Sequence, residues 1–463
     1  MTGPSIVCFR DDLRIADNPA LQAAAERGEK VLAVFILDEV SPDIRALGGA
    51  SKWWLHHSLT ALTASLAAIG VPLILRRGAA AQIITELVAT TEAGAVFWNR
   101  RYGMGEREVD ARLKASLKDA AIDVRSFGAN VLFEPWTMQT GQGGPYRVFT
   151  PFYRACLSAL EPRHPIAGFT ELDGYLAAGS VPGSAGCGLP SDDLASWALL
   201  PTAPDWSAGL AETWTPGEAG ARARLAEFVA DDLVKYVDEH DLPAKNSTSK
   251  LSPYLRFGEI SPFQIWHEVR RGSGRGKVGG DALLRQLVWR DYGYHLLFHY
   301  PEITHKNIRP AFDHFPWNEA TPAIVTAWQK GETGIPLVDA GMRELWQTGT
   351  MHNRVRMVTA SFLVKNLLLD WRIGEAFFWD TLVDADPSSN AMNWQWVAGT
   401  GVDAAPYFRV FNPELQATRF DPAGEYVARY VPEAGSFGYT PPMVDLKESR
   451  QAALDAYSSI KGL

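Results

Sequence analysis

Seven consecutive apolar residues, VLAVFIL, form the segment Val31–Leu37 near the start of the chain. A short and uninterrupted apolar run is typical of a strand buried on both faces, as in a parallel sheet. Similar runs alternate with Ala- and Leu-rich helical stretches on either side of it, which is the pattern of βαβ units. The sequence therefore predicts an N-terminal α/β domain with a doubly wound parallel sheet. The other predicted strands are Ser5–Phe9, Pro72–Leu75, Ala95–Trp98 and Val124–Phe127, and the clearest helices between them are Leu55–Ile69 and Ala80–Thr90.

Polar residues follow three of these strands, at Arg10–Arg14, Asp38–Glu39 and Asn99–Tyr102. Open parallel sheets bind their ligands at the carboxyl ends of the strands, so these residues mark a candidate site. Neither GxGxxG nor GxxxxGKS/T follows the first strand. This absence argues against an ordinary dinucleotide or P-loop site.

The remainder of the chain changes character twice. Residues 160–217 contain prolines scattered among Gly, Ser and Ala, which predicts a long connecting loop with a short helix or two. From Gly217 onward the periodicity is helical, and we divide the chain into an α/β domain (1–130), an interdomain linker (131–216) and an all-helical domain (217–463). The segment Arg354–Trp371 is apolar nearly all round, which predicts one central buried helix. Further helices are predicted at Ala219–Tyr236, Pro262–Arg271, Ala282–Tyr300, Pro322–Lys330, Pro336–Thr348 and Ile373–Leu382.

Composition limits the class of protein. The chain has 463 residues, of which 46% are hydrophobic and 21% charged, enough for a large core. No apolar run approaches the roughly 18 residues that a membrane span needs, and the N-terminus does not resemble a signal peptide. Three widely separated cysteines cannot form a disulfide framework or a CxxC metal site. We expect a soluble, cytoplasmic protein with no membrane partner and no metal.

The net charge of −9 does not describe how the charge is distributed. Residues 266–310 contain eight basic and four acidic side chains, and residues 342–372 contain five and two. These basic segments are compatible with a solvated helical surface and also with a face that binds nucleic acid.

Three features could carry chemistry. Nine of the 16 Trp follow residue 260, and they could pack the core, relay electrons or stack on a planar ligand. The loop Asp384-Ala-Asp386-Pro-Ser-Ser-Asn390 could cap a helix, pair with a buried Arg or accept a hydrogen bond from a ring N–H. Its two carboxylates also allow glycoside hydrolysis. The segment Thr248–Ser252 could be a helix cap or a phosphate cradle.

Together these segments resemble the photolyase/cryptochrome family, and most of all the bacterial cyclobutane pyrimidine dimer photolyases of the class I or class III type. The family fold is an α/β antenna domain, a long connecting loop and a helical domain that binds FAD. The similarity extends from Cys8 to Pro413, nearly the whole chain. The strings that carry it are Cys8–Arg14, Thr248–Tyr254, Trp289–Tyr292, Met351–Met357, Trp394–Trp396 and Asp403–Pro413.

The resemblance implies light-driven repair of cyclobutane pyrimidine dimers by photoexcited reduced FAD, with damaged DNA as the partner. Arg356 would pair with Asp384 beside the isoalloxazine, and Asn390 would face flavin N5. The FAD-binding residues would be Tyr236, Thr248, Ser249, Lys250, Leu251, Ser252, Arg290, Asn353, Arg356, Asp384, Asp386 and Asn390. Electrons would pass along Trp394, Trp371 and Trp317, with an extension through Trp328. The residues that contact the flipped dimer or the DNA would be Gln286, Trp289, Arg354, Met357, Trp396 and Gln416.

Individual positions discriminate within the family. Plant cryptochromes carry Asp where Asn390 stands, and enzymes that repair (6-4) photoproducts carry His where Asn353 and Met357 stand. Both differences favour repair of cyclobutane dimers. Gln286 stands where such enzymes commonly have Glu, and an amide cannot donate a proton as the acid does. Repair of (6-4) photoproducts and a cryptochrome-type blue-light receptor therefore remain as alternatives.

The resemblance also implies an antenna chromophore. Trp53, Trp54 and Glu106 match family positions in the antenna domain, and Glu106 matches the position that binds the pterin of a folate. We expect methenyltetrahydrofolate, with 8-hydroxy-5-deazaflavin and FMN as alternatives. We also expect a monomer that associates with the nucleoid when it binds DNA.

Overall fold

The computed structural model describes residues 2–159, 161–177, 187–272, 276–403 and 409–461. Its N-terminal part contains a five-stranded parallel sheet in the order β3-β2-β1-β4-β5. Strands β2 and β3 extend the sheet to one side of β1, and β4 and β5 extend it to the other side. Val7 of β1 therefore lies opposite both Ala33 and Phe97. The strands are β1 Ser5–Phe9, β2 Val31–Leu37, β3 Leu73–Arg77, β4 Ala95–Asn99 and β5 Asp123–Phe127.

Helices cover both faces of this sheet, as a doubly wound fold requires. Alternate residues of each strand point to opposite faces. Val7 and Phe35 therefore join the core beneath one pair of helices, and Cys8 and Val34 join the core beneath the other. The first pair is α1 Pro19–Glu26 and α2 Gly49–Ala68, and the second is α3 Ala80–Thr91 and α4 Met104–Asp119.

The predicted linker region contains a helix that sequence reasoning did not place, α5 Phe149–Ser158. A short 3-10 turn, Leu194–Trp197, and α6 Ala208–Thr213 account for the expected short helices. Between α5 and the 3-10 turn the chain returns to the sheet, where the Asp173 carbonyl accepts a hydrogen bond from the Val31 amide at the start of β2. The linker is thus anchored to the first domain.

Helices make up the rest of the described chain, and no helix among the described residues is long and apolar enough to cross a membrane. The predicted helices at Pro322–Lys330 and Pro336–Thr348 are confirmed residue for residue, since each begins with a proline and ends at a left-handed glycine. The α-helices of this part of the chain are, in order, α7 Glu218–Glu227, α8 Tyr236–Glu239, α9 Ser252–Arg256, α10 Pro262–Gly272, α11 Lys277–His299, α12 Pro322–Lys330, α13 Pro336–Thr348, α14 Asn353–Ser361, α15 Trp371–Thr381, α16 Pro387–Ala398, α17 Pro413–Phe420, α18 Glu425–Tyr430 and α19 Leu446–Ser459.

The single central helix predicted over Arg354–Trp371 is wrong in its extent. Helix α14 continues as a π turn, Phe362–Asn366, and then ends. Leu368 adopts a left-handed conformation (φ 53°), and Asp370 caps a new helix, α15, that begins at Trp371. The prediction failed because an unbroken apolar pattern contains no signal for a turn that is itself buried. The helix predicted over Ala219–Tyr236 is interrupted in the same way, by a π turn at Phe228–Asp232.

A buried carboxylate joins the two domains. Glu259 accepts hydrogen bonds from the Trp54 indole (3.2 Å), from the Ser58 hydroxyl and from the Gly217 amide (2.7 Å). Burial raises the pKa of Glu259 to about 8. Nearby, Gly258 has φ 63°, and a Cβ there would lie 2.0 Å from the Asp11 carbonyl oxygen, so only glycine allows this close approach of the two domains.

Candidate functional site

Asp384 lies at the centre of the polar groups that the sequence singled out. Its Oδ2 atom accepts hydrogen bonds from the Ser252 hydroxyl (2.7 Å) and from Arg356 Nη2 (3.0 Å). The predicted Arg356–Asp384 ion pair is therefore present. Arg356 is held in place by the Met351 carbonyl (2.6 Å) and the Thr350 hydroxyl (3.1 Å). The second oxygen, Oδ1, is buried and has no hydrogen-bond partner.

Asp386, two residues later, uses both of its oxygens within the protein. Oδ1 caps α16 by accepting from the Ser388 and Ser389 amides, and Oδ2 accepts from the Tyr294 hydroxyl (2.6 Å). Burial alone would raise the pKa of Asp386, but the nearby Arg290 guanidinium and these hydrogen bonds lower it. Helix capping is thus the role that the structure gives to this carboxylate.

Asn390 is buried in the first turns of α16, and its amide nitrogen is fully engaged. Nδ2 donates to the Glu375 backbone carbonyl (3.0 Å) and to Glu375 Oε1 (2.8 Å). Glu375 in turn accepts hydrogen bonds from both terminal nitrogens of Arg45, at 2.7 and 3.0 Å, across the domain boundary. A carboxylate accepts hydrogen bonds and does not donate them, so the NH₂ end of the Asn390 amide must face Glu375.

The loop Thr248–Ser252 is held from inside the protein by Arg224, which donates to the Ser249 and Thr248 carbonyls at 2.9 and 3.2 Å. Lys250 has a left-handed backbone (φ 53°). Burial, together with the charge of Arg224, lowers the pKa of Lys250. Tyr236 is buried and stacks on His240 with ring centroids 4.9 Å apart.

The tryptophans of the predicted relay are all in or near the core. Trp394 lies one helical turn after Asn390 in α16, as predicted. Its indole packs against Gly374, where a Cβ would approach within 2.0 Å, and against the ring of Trp328 at 6.3 Å. Trp371 is fully buried and donates to Asn307 Oδ1 (2.8 Å). Trp317 is half-buried, next to Phe315 at 4.3 Å.

The proposed DNA-contacting residues come from four helices. Gln286 and Trp289 are three residues apart in α11, and Arg290, which was predicted to bind FAD, is four residues after Gln286, so the three side chains lie on one face. Gln286 is exposed, whereas Trp289 is half-buried and stacks on Phe149. Arg290 donates to the carbonyls of Asn130 and Leu255.

Arg354, on α14, forms an ion pair with Asp241 at 2.6 Å. Of the other members of this set, Met357, Trp396 and Gln416 are half-buried, and Gln416 Oε1 is buried without a partner. Asn353, which was predicted to bind FAD, is exposed on the same helix as Arg354. Residues 404–408, within the segment Asp403–Pro413 that carries the family resemblance, lie outside the described residues.

A second site is a cavity of about 570 Å³ at the carboxyl ends of the sheet strands. It lies where the polar strand ends were expected to form a site, between the sheet and α15. Glu106, Arg45 and Glu375 are in its wall. Trp53 and Trp54 are instead buried on α2, where Trp54 contacts Trp214, Tyr254 and Phe257. Among the described residues there is no group of three or more His, Cys, Asp or Glu side chains that could hold a metal ion.

Sequence reasoning missed Glu375 and Phe149, which contact the predicted site residues Asn390 and Trp289, and Arg45, which pairs with Glu375. Glu375 had one usable signal, because an acid inside the apolar helix IGEAFFW requires a buried partner. Arg45 and Phe149 gave none, since their contacts join segments far apart in the chain.

The residues present fit a flavin nucleotide. The unpartnered Asp384 Oδ1 is a buried acceptor, and such an atom requires an N–H or O–H donor. The ring N–H of an isoalloxazine supplies one. The backbone amides and hydroxyls of Thr248–Ser252, with the Lys250 cation, suit phosphate groups.

Comparison with known proteins agrees with this assignment. The chain matches the family model described as DNA photolyase over residues 5–169, and the one described as FAD binding domain of DNA photolyase over residues 283–438. It is 46% identical to the deoxyribodipyrimidine photo-lyase of Agrobacterium fabrum, over 99% of this chain and 98% of that protein. It is 37% identical to Cryptochrome-1 of Arabidopsis thaliana, over 93% of this chain and 63% of that protein. The crystal structure of a bacterial class III photolyase from Agrobacterium tumefaciens superposes with a TM-score of 0.93 at 45% identity, covering 100% of this chain and 98% of that one.

Proposed function

The chain belongs to the photolyase/cryptochrome family, and from this premise we propose that it is a deoxyribodipyrimidine photo-lyase that splits cyclobutane pyrimidine dimers in damaged DNA. The observation that carries the proposal is the buried Asp384 oxygen that lacks a donor, beside a paired Arg356. Reduced FAD, when bound and excited by light, supplies the electron that splits the dimer.

The protein's own residues bind and orient the cofactor. Asp384 would accept the ring N–H, and Arg356, 3.0 Å from its Oδ2 atom, holds that carboxylate in place. Asn390 faces flavin N5, with its amide orientation fixed by Glu375. The loop 248–252 binds the phosphates. Tyr236, Arg290 and Asn353 complete the binding site, and Asp386 supports it by capping α16, the helix that carries Asn390.

Trp394, Trp371 and Trp317 relay electrons from the surface to the cofactor and so keep it reduced. Trp394 would be the first member of the relay, because it follows Asn390, the residue assigned to flavin N5, by one helical turn. Trp328 contacts Trp394 and offers an extension of the relay.

Trp289, Met357 and Trp396 line the cavity for the flipped dimer, and Arg354 and Gln416 contact the DNA. The chain has neither of the histidines expected in a (6-4) enzyme, because Asn353 and Met357 occupy those positions. Asn390 favours repair over a cryptochrome-type receptor, in which an Asp is expected. Gln286 hydrogen-bonds a dimer carbonyl through its NH₂ group.

We propose the 570 Å³ cavity as the antenna site, with Glu106 holding a methenyltetrahydrofolate. A deazaflavin or FMN is the alternative occupant. Releasing the chromophores from the purified protein by denaturation and identifying them by mass spectrometry decides among the three. The protein is proposed to be a cytoplasmic monomer that associates with the nucleoid through DNA.

The decisive experiment is to irradiate the purified, reduced protein with dimer-containing DNA and to measure the loss of dimers against a dark control. We expect dimers to disappear only in the light. DNA that contains (6-4) photoproducts serves as the matched substrate control and should remain unchanged. If the protein photoreduces its flavin but leaves both lesions intact, it is a photoreceptor and not a photolyase.

A further inference from the structure

Trp289 and Phe149 form the closest aromatic stack in the described structure, although they lie in different segments of the chain. Their ring centroids are 3.5 Å apart and the rings are inclined by only 9°. Phe149 is 2% exposed, whereas Trp289 is half-buried. One face of the Trp289 indole is therefore covered by Phe149, and part of the remainder is accessible.

This geometry is imposed by the surrounding packing. Aromatic pairs prefer offset or edge-to-face arrangements, because the negative faces of two rings repel each other. Phe149 begins α5, and its backbone amide donates to Asp403 Oδ2 (3.1 Å). Tyr153, one turn later on α5, stacks on Phe149 with ring centroids 5.6 Å apart. Tyr292 packs edge-on against both Phe149 and Trp289, with its ring centroid 5.8 Å from each of theirs. The two planes are held parallel by these neighbours.

We propose that Phe149 is a positioning residue for lesion recognition: it fixes the plane of the Trp289 indole so that the accessible part of the ring stacks on the flipped pyrimidine dimer. This inference rests on the proposed function, in which Trp289 lines the lesion cavity. It gives a functional role to α5, a helix within the predicted linker that sequence reasoning did not place.

The expected effect follows from pre-organisation. A side chain that is already immobile loses little rotamer freedom when a ligand stacks on it, and immobilising a free one reduces affinity by roughly 2- to 10-fold. Phe149→Leu keeps an apolar side chain but removes the flat surface. Affinity for dimer-containing DNA should fall by about that factor, while affinity for undamaged DNA stays unchanged, because phosphate contacts do not involve Trp289.

Phe152→Leu is the matched control. Phe152 is equally buried on the same helix, but its ring contacts are with Tyr146, Tyr292 and His295. Binding of damaged and undamaged DNA is measured for both variants, together with their FAD content. If Phe149→Leu fails to fold, Phe149→Met replaces it, because Met keeps the apolar volume without a flat ring.

A double-mutant cycle separates positioning from general destabilisation. In a Trp289→Leu background, Phe149→Leu should cause no further loss of lesion affinity, because there is no indole left to orient. Additive losses in the two substitutions overturn the proposal, and so does a Phe149→Leu variant that discriminates lesions as well as Phe152→Leu does. Neither result affects the proposed function, which fails only if the native protein does not remove dimers in the light.

Discussion

The strongest test of the flavin site is to replace Asp384 by Asn. In the structure Oδ2 already accepts from Ser252 and Arg356, and Oδ1 is the buried acceptor assigned to the cofactor. Both ends of the carboxylate must therefore accept. Asn has one accepting end and one donating end, so whichever way it turns, its NH₂ group faces another donor.

The magnitude follows from these contacts. A buried donor without an acceptor costs about 1–3 kcal/mol, and a hydrogen bond from Arg356 to a neutral oxygen is about 1 kcal/mol weaker than one to a carboxylate. Arg356 is 25% exposed, so water compensates part of the loss. A net loss of about 2 kcal/mol corresponds to a roughly 30-fold higher dissociation constant for FAD.

The assay is titration of the apoprotein with FAD, followed by quenching of flavin fluorescence, for native protein and Asp384→Asn. Asp455→Asn is the control, because Asp455 is exposed on α19 and accepts a hydrogen bond from the Gln451 side-chain amide (2.9 Å) on the same helix. Thermal unfolding of each apoprotein checks that the fold is intact. A dissociation constant within about threefold of the native value, in a folded variant, would refute the assignment of Asp384 to FAD.

Four further expectations concern light, DNA and pH. Trp394→Phe should slow photoreduction of oxidised FAD yet leave repair by pre-reduced enzyme largely intact; photoreduction at the native rate would exclude the Trp394 relay. The affinity for dimer-containing duplex should fall as salt rises and should exceed the affinity for intact duplex. Arg354→Gln should reduce the slope of log affinity against log salt concentration by about 1. Equal affinities for damaged and intact duplex would favour a receptor. Gln286→Glu should keep or raise the quantum yield of dimer splitting. Gln286→Ala should reduce DNA binding or that yield, and the loss is about 1–3 kcal/mol if a buried partner is left unpaired. If native protein and both variants repair no dimers, the photolyase assignment is refuted. Because burial raises the pKa of Glu259 from 4.5 to about 8, the folded protein binds this proton more tightly than the unfolded chain, and stability should fall as pH rises from about 4.5 to 8. Thermal unfolding of Glu259→Gln should show a weaker dependence on pH. Equal pH dependence in the native protein and the variant would contradict this.

The sequence predicted those parts of the fold that have local signals. Strands Ser5–Phe9 and Val31–Leu37 match their apolar runs, and α12 and α13 match their proline and glycine boundaries. The break between α14 and α15 has no proline or glycine to mark it; Leu367–Leu369 are buried like the π turn before them, and only Asp370 caps the new helix. Hydrophobic periodicity reports burial correctly there and gives the wrong boundary.

For the site, the residue types were informative and their partners were not. From the residues alone a buried Arg was one possible partner for the loop's acids, and the family resemblance named Arg356 as the partner of Asp384, a pair that the structure contains. The contacts Glu375–Asn390 and Phe149–Trp289 depend on how α15 packs on α16 and α5 on α11. Such contacts arise only once the helices are assembled, so no local pattern encodes them.

The ion pair between Arg45 and Glu375 limits how freely the two halves of this protein can be exchanged. Glu375 is nearly buried, and a partner domain without an arginine at that place would leave its charge unpaired, which is strongly destabilising. The same carboxylate holds Asn390, so a chimera with a foreign antenna domain would disturb the flavin side even if both halves folded. A transplant of the N-terminal half must therefore bring its own cation to this contact with Glu375, because the same carboxylate also holds Asn390.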